Sequence, residues 1–387
     1  MAIIYRPKKK WPPTKGVTIT KAKPMHKGHE LMIATAAAEL DELIVIVSDL
    51  ADEELDMFSE EWPLTYRYKM VQKALAKYPN VQVVKHYDHS PDADSYDEHG
   101  TGQGDAFWAY WTNVFQTLAP DATHFVSSDR YGKEAARRMN TSYRGVKWFP
   151  VDPDRELIPV SATKIRNDPF KYWKYIMPEF RQKLGKRVLV IGPESTGKST
   201  LTKDLGKAWN SPVVPEYGRI LSEAKENELD EQDFKDIVKR HHEMELFAIR
   251  NSETGLAISD TDAWTTYLFS EIYLDQPMEE LKKFHTPDWY DLVVLLAPTI
   301  PWDDDGTRVM PSRNDRDKFF QKLYNKYVGR NYTKHPNFMV LEETDRQKRV
   351  EIVSLEIAKL LDIDHADEKV YSDAYDGLTK QDTSLIV

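Results

Sequence analysis

The chain has 387 residues, 41% of them hydrophobic and 11% aromatic, a length and an apolar content that predict two domains with real cores. A formal net charge of −10 argues against general nucleic-acid binding, which needs a basic excess, and leaves small phosphorylated ligands open. With no cysteine, disulfides, thiolate catalysis and thiolate zinc sites are excluded. No stretch reaches the ~20 apolar residues of a membrane span, and MAIIYRPKKKWPP lacks the apolar centre of a signal peptide. A soluble cytoplasmic enzyme is the expectation.

Residues 1–15 read as a tail punctuated by Pro12-Pro13, with Arg6 and Lys8 to Lys10 as a solvated basic arm. Strands and helices then alternate. Gly16–Thr20 reads as a strand. Gly28–Leu40 reads as a helix with Leu31, Ile33, Ala34 and Ala37 as its buried stripe, and Leu43–Val47 as a buried strand. Thr65–Tyr78 is helical, Val81–Lys85 a strand, Phe107–Leu118 an aromatic-rich helix, and His124–Ser127 and Lys147–Pro150 short strands. The acidic stretch Pro91–Gly104 lacks apolar rhythm and is either a surface loop or a lid near a ligand. Asn167–Lys186 reads as a helical connector packed on the first domain, carrying Tyr172, Trp173 and Tyr175. A second alternation follows, with strands at Arg187–Ile191, Pro212–Val214, Leu256–Ser259, Leu292–Leu296 and Asn337–Leu341. From Asp362 onward the chain is polar and acidic. Such alternation implies α/β architecture: two doubly wound parallel-sheet domains. The expected boundaries are 16–166 and 187–362, joined by 167–186 and followed by a tail at 363–387.

The strongest signal lies between a strand and a helix of the second alternation. Gly192-Pro193-Glu194-Ser195-Thr196-Gly197-Lys198-Ser199 has the spacing G-x-x-x-x-G-K-S, and Thr200 opens the helix. Backbone N–H groups of such a loop wrap a phosphate chain; Lys198 would reach the β- and γ-phosphates and Ser199 would hold Mg²⁺. The strand 256–259 ends in Asp260-Thr261-Asp262, where Asp260 is the expected metal partner. Glu216 or Asp262 would take the proton from an attacking hydroxyl, and Arg219 would clamp substrate or phosphate. Arg308, Arg313 and Arg316 read either as a lid bringing positive charge to the transferred phosphoryl or as surface ion pairs. His241 and His242 are adjacent, so on a helix they diverge by ~100° and are no metal pair.

In the first domain, Lys21-Ala22-Lys23-Pro24-Met25-His26-Lys27-Gly28-His29 carries H-x-G-H at a helix start. Gly28 permits close backbone approach, and imidazoles at a helix N-terminus donate to phosphate oxygens. Ser161-Ala162-Thr163-Lys164-Ile165-Arg166 offers two hydroxyls and two cations at a second helix start, suited to the β/γ end of a triphosphate. Ser128 follows a strand end, where open sheets bind ligands, and Arg67 is a further phosphate candidate.

His26-x-Gly28-His29 with Ser161-x-Thr163-x-x-Arg166 resembles the nucleotidyltransferase superfamily. SATKIRNDPFKYWKYIMPEFR followed by GPESTGKST resembles, more narrowly, the NadR family, over roughly residues 16–360 and in the same domain order. The resemblance implies a nicotinamide mononucleotide adenylyltransferase joined to a ribosylnicotinamide kinase, with ATP and Mg²⁺ as cofactors. Nicotinamide riboside, nicotinamide mononucleotide and NAD are the implied ligands, with no nucleic acid and no membrane; a homo-oligomer is left open. Lys21, His26 and His29 would act on the ATP phosphates, and Trp302 would stack on the pyridinium ring. Trp108 and Trp111 would either stack on the nicotinamide or pack in the core. Thr20 and Ala22 stand where the family's turn usually has a glycine and an aromatic. About fifteen residues precede the first strand, too few for the helix-turn-helix of many members, so no repressor role is expected. The alternatives are a different nucleotidyltransferase fused to a different small-molecule kinase, or a nucleotide-sensing regulator with one inactive domain.

Overall fold

The computed structural model describes residues 13–50, 62–91, 105–140, 145–303, 306, 308–328 and 335–362. The basic arm, the acidic stretch 92–104 and the tail from 363 lie outside the described residues. The chain divides after Phe180 into two units.

The first unit runs β1 (Lys15–Thr20), α1 (Lys27–Glu39), β2 (Glu42–Leu50), α2 (Leu64–Leu75), β3 (Val81–Asp88), α3 (Asp105–Leu118), β4 (His124–Ser127), α4 (Tyr131–Met139), β5 (Lys147–Pro150) and α5 (Ala162–Asn167). Its parallel sheet has the order β3-β2-β1-β4-β5. Leu43 to Val47 are all buried, as a central strand covered by helices on both faces requires. Val17 pairs with Ile44 on one side and Phe125 on the other, and all three enter one core with Trp108, Trp111 and Phe115. The strand order reverses at β1 and β4, so a crevice is expected outside their carboxyl ends.

Two details differ from the pattern-based reading. The buried residues of α1 are Met32, Ile33 and Ala36 rather than Leu31, Ile33, Ala34 and Ala37. Apolar residues occur all round this helix, so its phase is set by the cap at His26 and not by periodicity. The helix α4 was unforeseen: it is short, and its buried residues, Gly132, Ala135, Ala136 and Met139, are mostly small.

After α5 come a 3-10 turn (Trp173–Tyr175) and α6 (Pro178–Leu184). Within the first unit, Ile176 bridges His26, the Met177 N–H donates to Met25 O (3.1 Å), and Phe180 stacks on Trp62. Within the second, Arg181 Nη1 donates to Arg250 O (3.1 Å) and Ser252 O (3.2 Å).

The second unit continues with β6 (Lys186–Ile191), α7 (Lys198–Ala208), β7 (Val213–Val214), α8 (Tyr217–Ala224), α9 (Glu231–Asn251), β8 (Leu256–Asp260), α10 (Ala263–Tyr273), β9 (Leu292–Leu296), α11 (Arg313–Val328), β10 (Phe338–Leu341) and α12 (Arg346–Leu360). Its parallel sheet has the order β10-β9-β6-β8-β7. The central strand β6 delivers the glycine-rich loop at its carboxyl end. Register places Asp260 of β8 beside Val190 of β6, so the carboxylate stands at the root of that loop.

Trp108 and Trp111 belong to the first core, 6% and 5% exposed, with Trp111 packed against Phe107, His86 and Phe115. This packing excludes them as a stacking surface for a ligand. Trp111→Ala is expected to lower the stability of the first unit by about 3–5 kcal/mol, measured as a shift of its denaturant-unfolding midpoint.

Candidate active sites

In the first unit the turn after β1 is built from its own side chains. Thr20 Oγ1 accepts the Ala22 N–H (3.0 Å), which holds Ala22 in the left-handed region at φ 49°. His26 then caps α1. Its Nδ1 accepts the Gly28 N–H (3.2 Å), and the His26 N–H donates to His29 Nδ1 (3.3 Å). A Cβ on Gly28 would lie 3.0 Å from His26 Nδ1, so this cap needs glycine there. Both Nδ1 atoms accept backbone hydrogen bonds, which puts each ring proton on Nε2. His29 Nε2 thereby donates to Thr20 Oγ1 (3.2 Å). Burial, joined by the charge of Arg155, lowers His29 to about 4 and holds His26 well below the ordinary imidazole value. His26 thus presents a neutral Nε2–H at the helix start, while that of His29 is taken by Thr20 Oγ1.

The second element docks on this turn. Ser161 caps α5, its Oγ accepting the Lys164 N–H (3.2 Å). Arg166 donates through Nη2 to Thr163 Oγ1 (3.2 Å) and through Nη1 to Lys23 O (2.9 Å). The structure thus brings Lys21, His26, Gly28 and His29 together with Ser161, Thr163 and Arg166 at the carboxyl end of β1. Ser128 lies just beyond the end of neighbouring β4. Arg67 does not belong to this surface. It is fully buried, and its guanidinium bonds Trp62 O (2.8 Å), Lys21 O and the Asp49 carboxylate, which also pairs with Lys23 (3.4 Å). Arg67 shapes the Lys21 turn from beneath rather than touching a phosphate. Arg155 was missed by the sequence reading; a lone arginine in the loop 151–160 carries no pattern.

In the second unit the loop 192–199 folds around two left-handed residues, Ser195 (φ 58°) and Gly197 (φ 81°). Pro193 O accepts Thr196 Oγ1 (2.8 Å) and Lys198 Nζ (3.1 Å), and Thr196 O accepts Arg349 Nη1 from α12 (2.7 Å). Arg349, also unforeseen, is buried against Gly197. Ser199 Oγ donates to Asp260 Oδ2 (2.6 Å), while Asp260 Oδ1 is buried with no hydrogen-bond partner among the described residues. A hydroxyl beside a carboxylate oxygen that lacks a partner fits a hard divalent cation such as Mg²⁺, completed by phosphate and water. No group of three or more His, Asp or Glu side chains forms a metal cage among the described residues.

A cavity opens from this loop. Its lining includes Lys198, Ser199, Thr200, Glu216, Arg219 and Arg308 together with the aromatic residues Phe234, Phe269 and Tyr273. Burial, reinforced by Asp260, raises the Glu216 carboxyl above the usual range even though Lys198 opposes it. His241 also lines the cavity, whereas His242 packs on Trp289, so the two diverge.

Asp262 is not a cavity acid. It caps α10, accepting the Thr265 N–H (2.9 Å) and Thr265 Oγ1 (2.7 Å) at Oδ1, and the Tyr327 hydroxyl (2.8 Å) and His285 Nδ1 (3.1 Å) at Oδ2. Burial works to raise it, but these bonds, His285 first, hold it down at about 2. A saturated carboxylate at that value is a poor base. Trp302 precedes Asp303, which bonds Ser195 and Arg308 at the cavity, and its buried indole N–H lacks an acceptor among the described residues. Of the three arginines, Arg308 reaches the cavity, Arg313 forms an exposed pair with Asp317 (2.9 Å), and buried Arg316 donates to Ile300 O (3.2 Å).

Residues 18–168 match the cytidylyltransferase-like family model and residues 187–349 the AAA domain model. The chain is 28% identical over 343 residues to the trifunctional NAD biosynthesis/regulator protein NadR of Salmonella typhimurium, covering 86% of this chain and 80% of that protein. It is 28% identical over 345 residues to NadR of Escherichia coli, covering 87% and 80%. A crystal structure of NadR protein in complex with NR shares the fold at a TM-score of 0.66 and 21% identity, covering 90% of this chain and 96% of that one. The chain is therefore NadR-like, a cytidylyltransferase-like domain followed by a P-loop domain. Among the described residues no helix is long and apolar enough to cross a membrane.

The depressed imidazoles have a measurable consequence. Between the ordinary value of 6.5 and about 4, the unfolded chain binds a proton that folded His29 refuses. The unfolded state then holds more protons, so the first unit loses stability as pH falls through this window. His26 contributes with the same sign. His29→Asn is expected to make that decline shallower in denaturant titrations at successive pH values.

Proposed function

We propose that this chain is a bifunctional NAD salvage enzyme acting in the cytoplasm. Residues 187–362 form a kinase that phosphorylates nicotinamide riboside at its 5′-hydroxyl with ATP. Residues 16–166 form an adenylyltransferase that joins the resulting mononucleotide to AMP from a second ATP, giving NAD and pyrophosphate. The observation that carries this reading is the cavity of the second unit. Its lining combines the phosphate loop, an acid and arginines with the rings of Phe269 and Tyr273, which suits a nucleoside with a flat cationic base. The relatives support the choice of base, since NadR has been crystallised in complex with NR and with NAD and AMP-PNP.

In the kinase reaction the riboside hydroxyl attacks the γ-phosphorus, its proton passes to Glu216, and ADP departs. Lys198 and Arg308 face the charge on the transferred group, Arg219 orients the acceptor, and the partly buried Phe269 and Tyr273 hold the base. Mg²⁺, held by Ser199 and Asp260 when bound, neutralises phosphate charge. In the adenylyl transfer the mononucleotide phosphate attacks the α-phosphorus and pyrophosphate leaves. The nucleophile is already an anion, so no base is required, and catalysis is positioning plus charge stabilisation. His26 donates through Nε2, His29 does so by turning its Nε2–H from Thr20 Oγ1 to the phosphate, Lys21 serves the reacting phosphates, and Ser161, Thr163 and Arg166 hold the β/γ end.

Purified protein given ATP, Mg²⁺ and riboside should produce NAD. Lys198→Ala should lower riboside phosphorylation by roughly 10²–10³-fold and spare adenylyl transfer, while His29→Ala should do the reverse. Loss of both activities from either change in a folded protein would contradict two independent sites. A second pair separates the acids. Glu216→Gln should cut kinase kcat by about 10²–10⁴-fold. Asp262→Asn should cost about 1–3 kcal/mol of stability and leave kcat per folded molecule nearly unchanged.

A further inference from the structure

One acidic side chain of the phosphate loop is turned away from phosphates and metal alike. Glu194 is 9% exposed, and its carboxylate accepts three backbone hydrogen bonds from residues more than a hundred positions away. The Val309 N–H is 3.0 Å from each oxygen, and the Met310 N–H is 2.8 Å from Oε2. Beside it, Ser195 is held left-handed and its hydroxyl meets the same stretch: Oγ donates to Asp303 O (3.1 Å) and accepts the Asp303 N–H (3.0 Å) and Arg308 Nη1 (2.6 Å). Arg308 stands between these anchors and also bonds Asp303 O. Beyond it Met310 is 3% exposed in the core of the unit.

We infer that Glu194 is a positioning residue: its carboxylate clamps the Val309 and Met310 amides so that Arg308 is held against the phosphate loop at the site of phosphoryl transfer. The carboxylate suits the task because it is acceptor-only and takes two adjacent N–H groups at once. An arginine aimed at developing phosphoryl charge is effective only when held in place, and an error of about 1 Å can cost roughly 10²-fold. This inference rests on the kinase reading for its rate effect but not for the clamp itself.

Two measurements separate those levels. Amide exchange of Val309 and Met310 needs no substrate. In the wild-type chain both amides should exchange at least about tenfold more slowly than in Glu194→Gln, which keeps the shape but supplies one weaker acceptor. Equal rates would overturn the clamp, whatever the chain catalyses. In the kinase assay Glu194→Gln should lower kcat roughly 10- to 100-fold with the KM for ATP changed less than about twofold. Arg308→Ala should lower it at least as much, and the double variant should be no worse than Arg308→Ala alone. Full additivity, or a loss confined to the KM for ATP, would show that Glu194 acts on the nucleotide and not through Arg308. A wild-type chain that fails to phosphorylate the riboside while its amides stay protected would overturn the kinase reading and leave the clamp standing.

Discussion

The second unit depends on holding an eight-residue loop in a shape that its backbone would not choose. Ser195 is a left-handed non-glycine residue, a conformation costing about 1–2 kcal/mol. Three hydrogen bonds to its hydroxyl, together with the glycine that follows at Gly197, offset that cost. The carbonyls of Pro193 and Thr196 are taken by Thr196, Lys198 and Arg349. With those acceptors occupied, what the loop has left to offer a ligand is its N–H groups, the preference of an anion. The residues that fix it are Asp260 of β8, Asp303, Arg308, Val309 and Met310, and Arg349 of α12, so the five-stranded sheet and its helices act as the frame for one loop.

The first unit reaches a similar end by another route. No glycine-rich loop follows β1; the turn is closed by Thr20, and the helix start is capped by an imidazole instead of a hydroxyl. Using His26 and His29 as backbone acceptors has a chemical result that a serine cap would not have. It assigns both tautomers and leaves an Nε2–H on each ring. Arg67, sunk beneath the turn and neutralised by Asp49, fixes the carbonyl of Lys21 without adding charge to the surface above.

Strands were legible in the sequence because central parallel strands are continuous apolar runs: Leu43–Val47, Val188–Ile191 and Leu292–Leu296 could not be solvated. The two phosphate elements were legible because their residues are adjacent in the chain. What escaped depended on distance along the chain or on context. Glu194 and Arg349 act on partners 115 and 153 positions away. Asp260 and Asp262, two residues apart at one strand end, looked equivalent, yet one meets the loop and the other is consumed by Tyr327, His285 and Thr265. The aromatic lining comes from α9 and α10, where Phe234, Phe269 and Tyr273 carry no motif. α1 shows the limit of periodicity itself, since an all-round apolar helix has no phase to read.

The electrostatics of the two candidate sites differ in the way the two proposed reactions require. Attack by a mononucleotide phosphate needs donors and no base, and the groups at the first site are imidazoles kept neutral by burial, unable to compete for a proton. Attack by a ribose hydroxyl produces a proton that must be placed, and the acid facing the second cavity is the one whose affinity for a proton burial has increased. The same physical cause, removal from water, lowers one group and raises the other because the charged forms have opposite sign. Had the second acid been Asp262, the hydrogen bonds that hold it near 2 would have left the hydroxyl proton without an acceptor at neutral pH. The distinction between the two acids is thus a matter of what surrounds each carboxylate, and it follows from one strand ending beside the phosphate loop while the next helix begins inside the core.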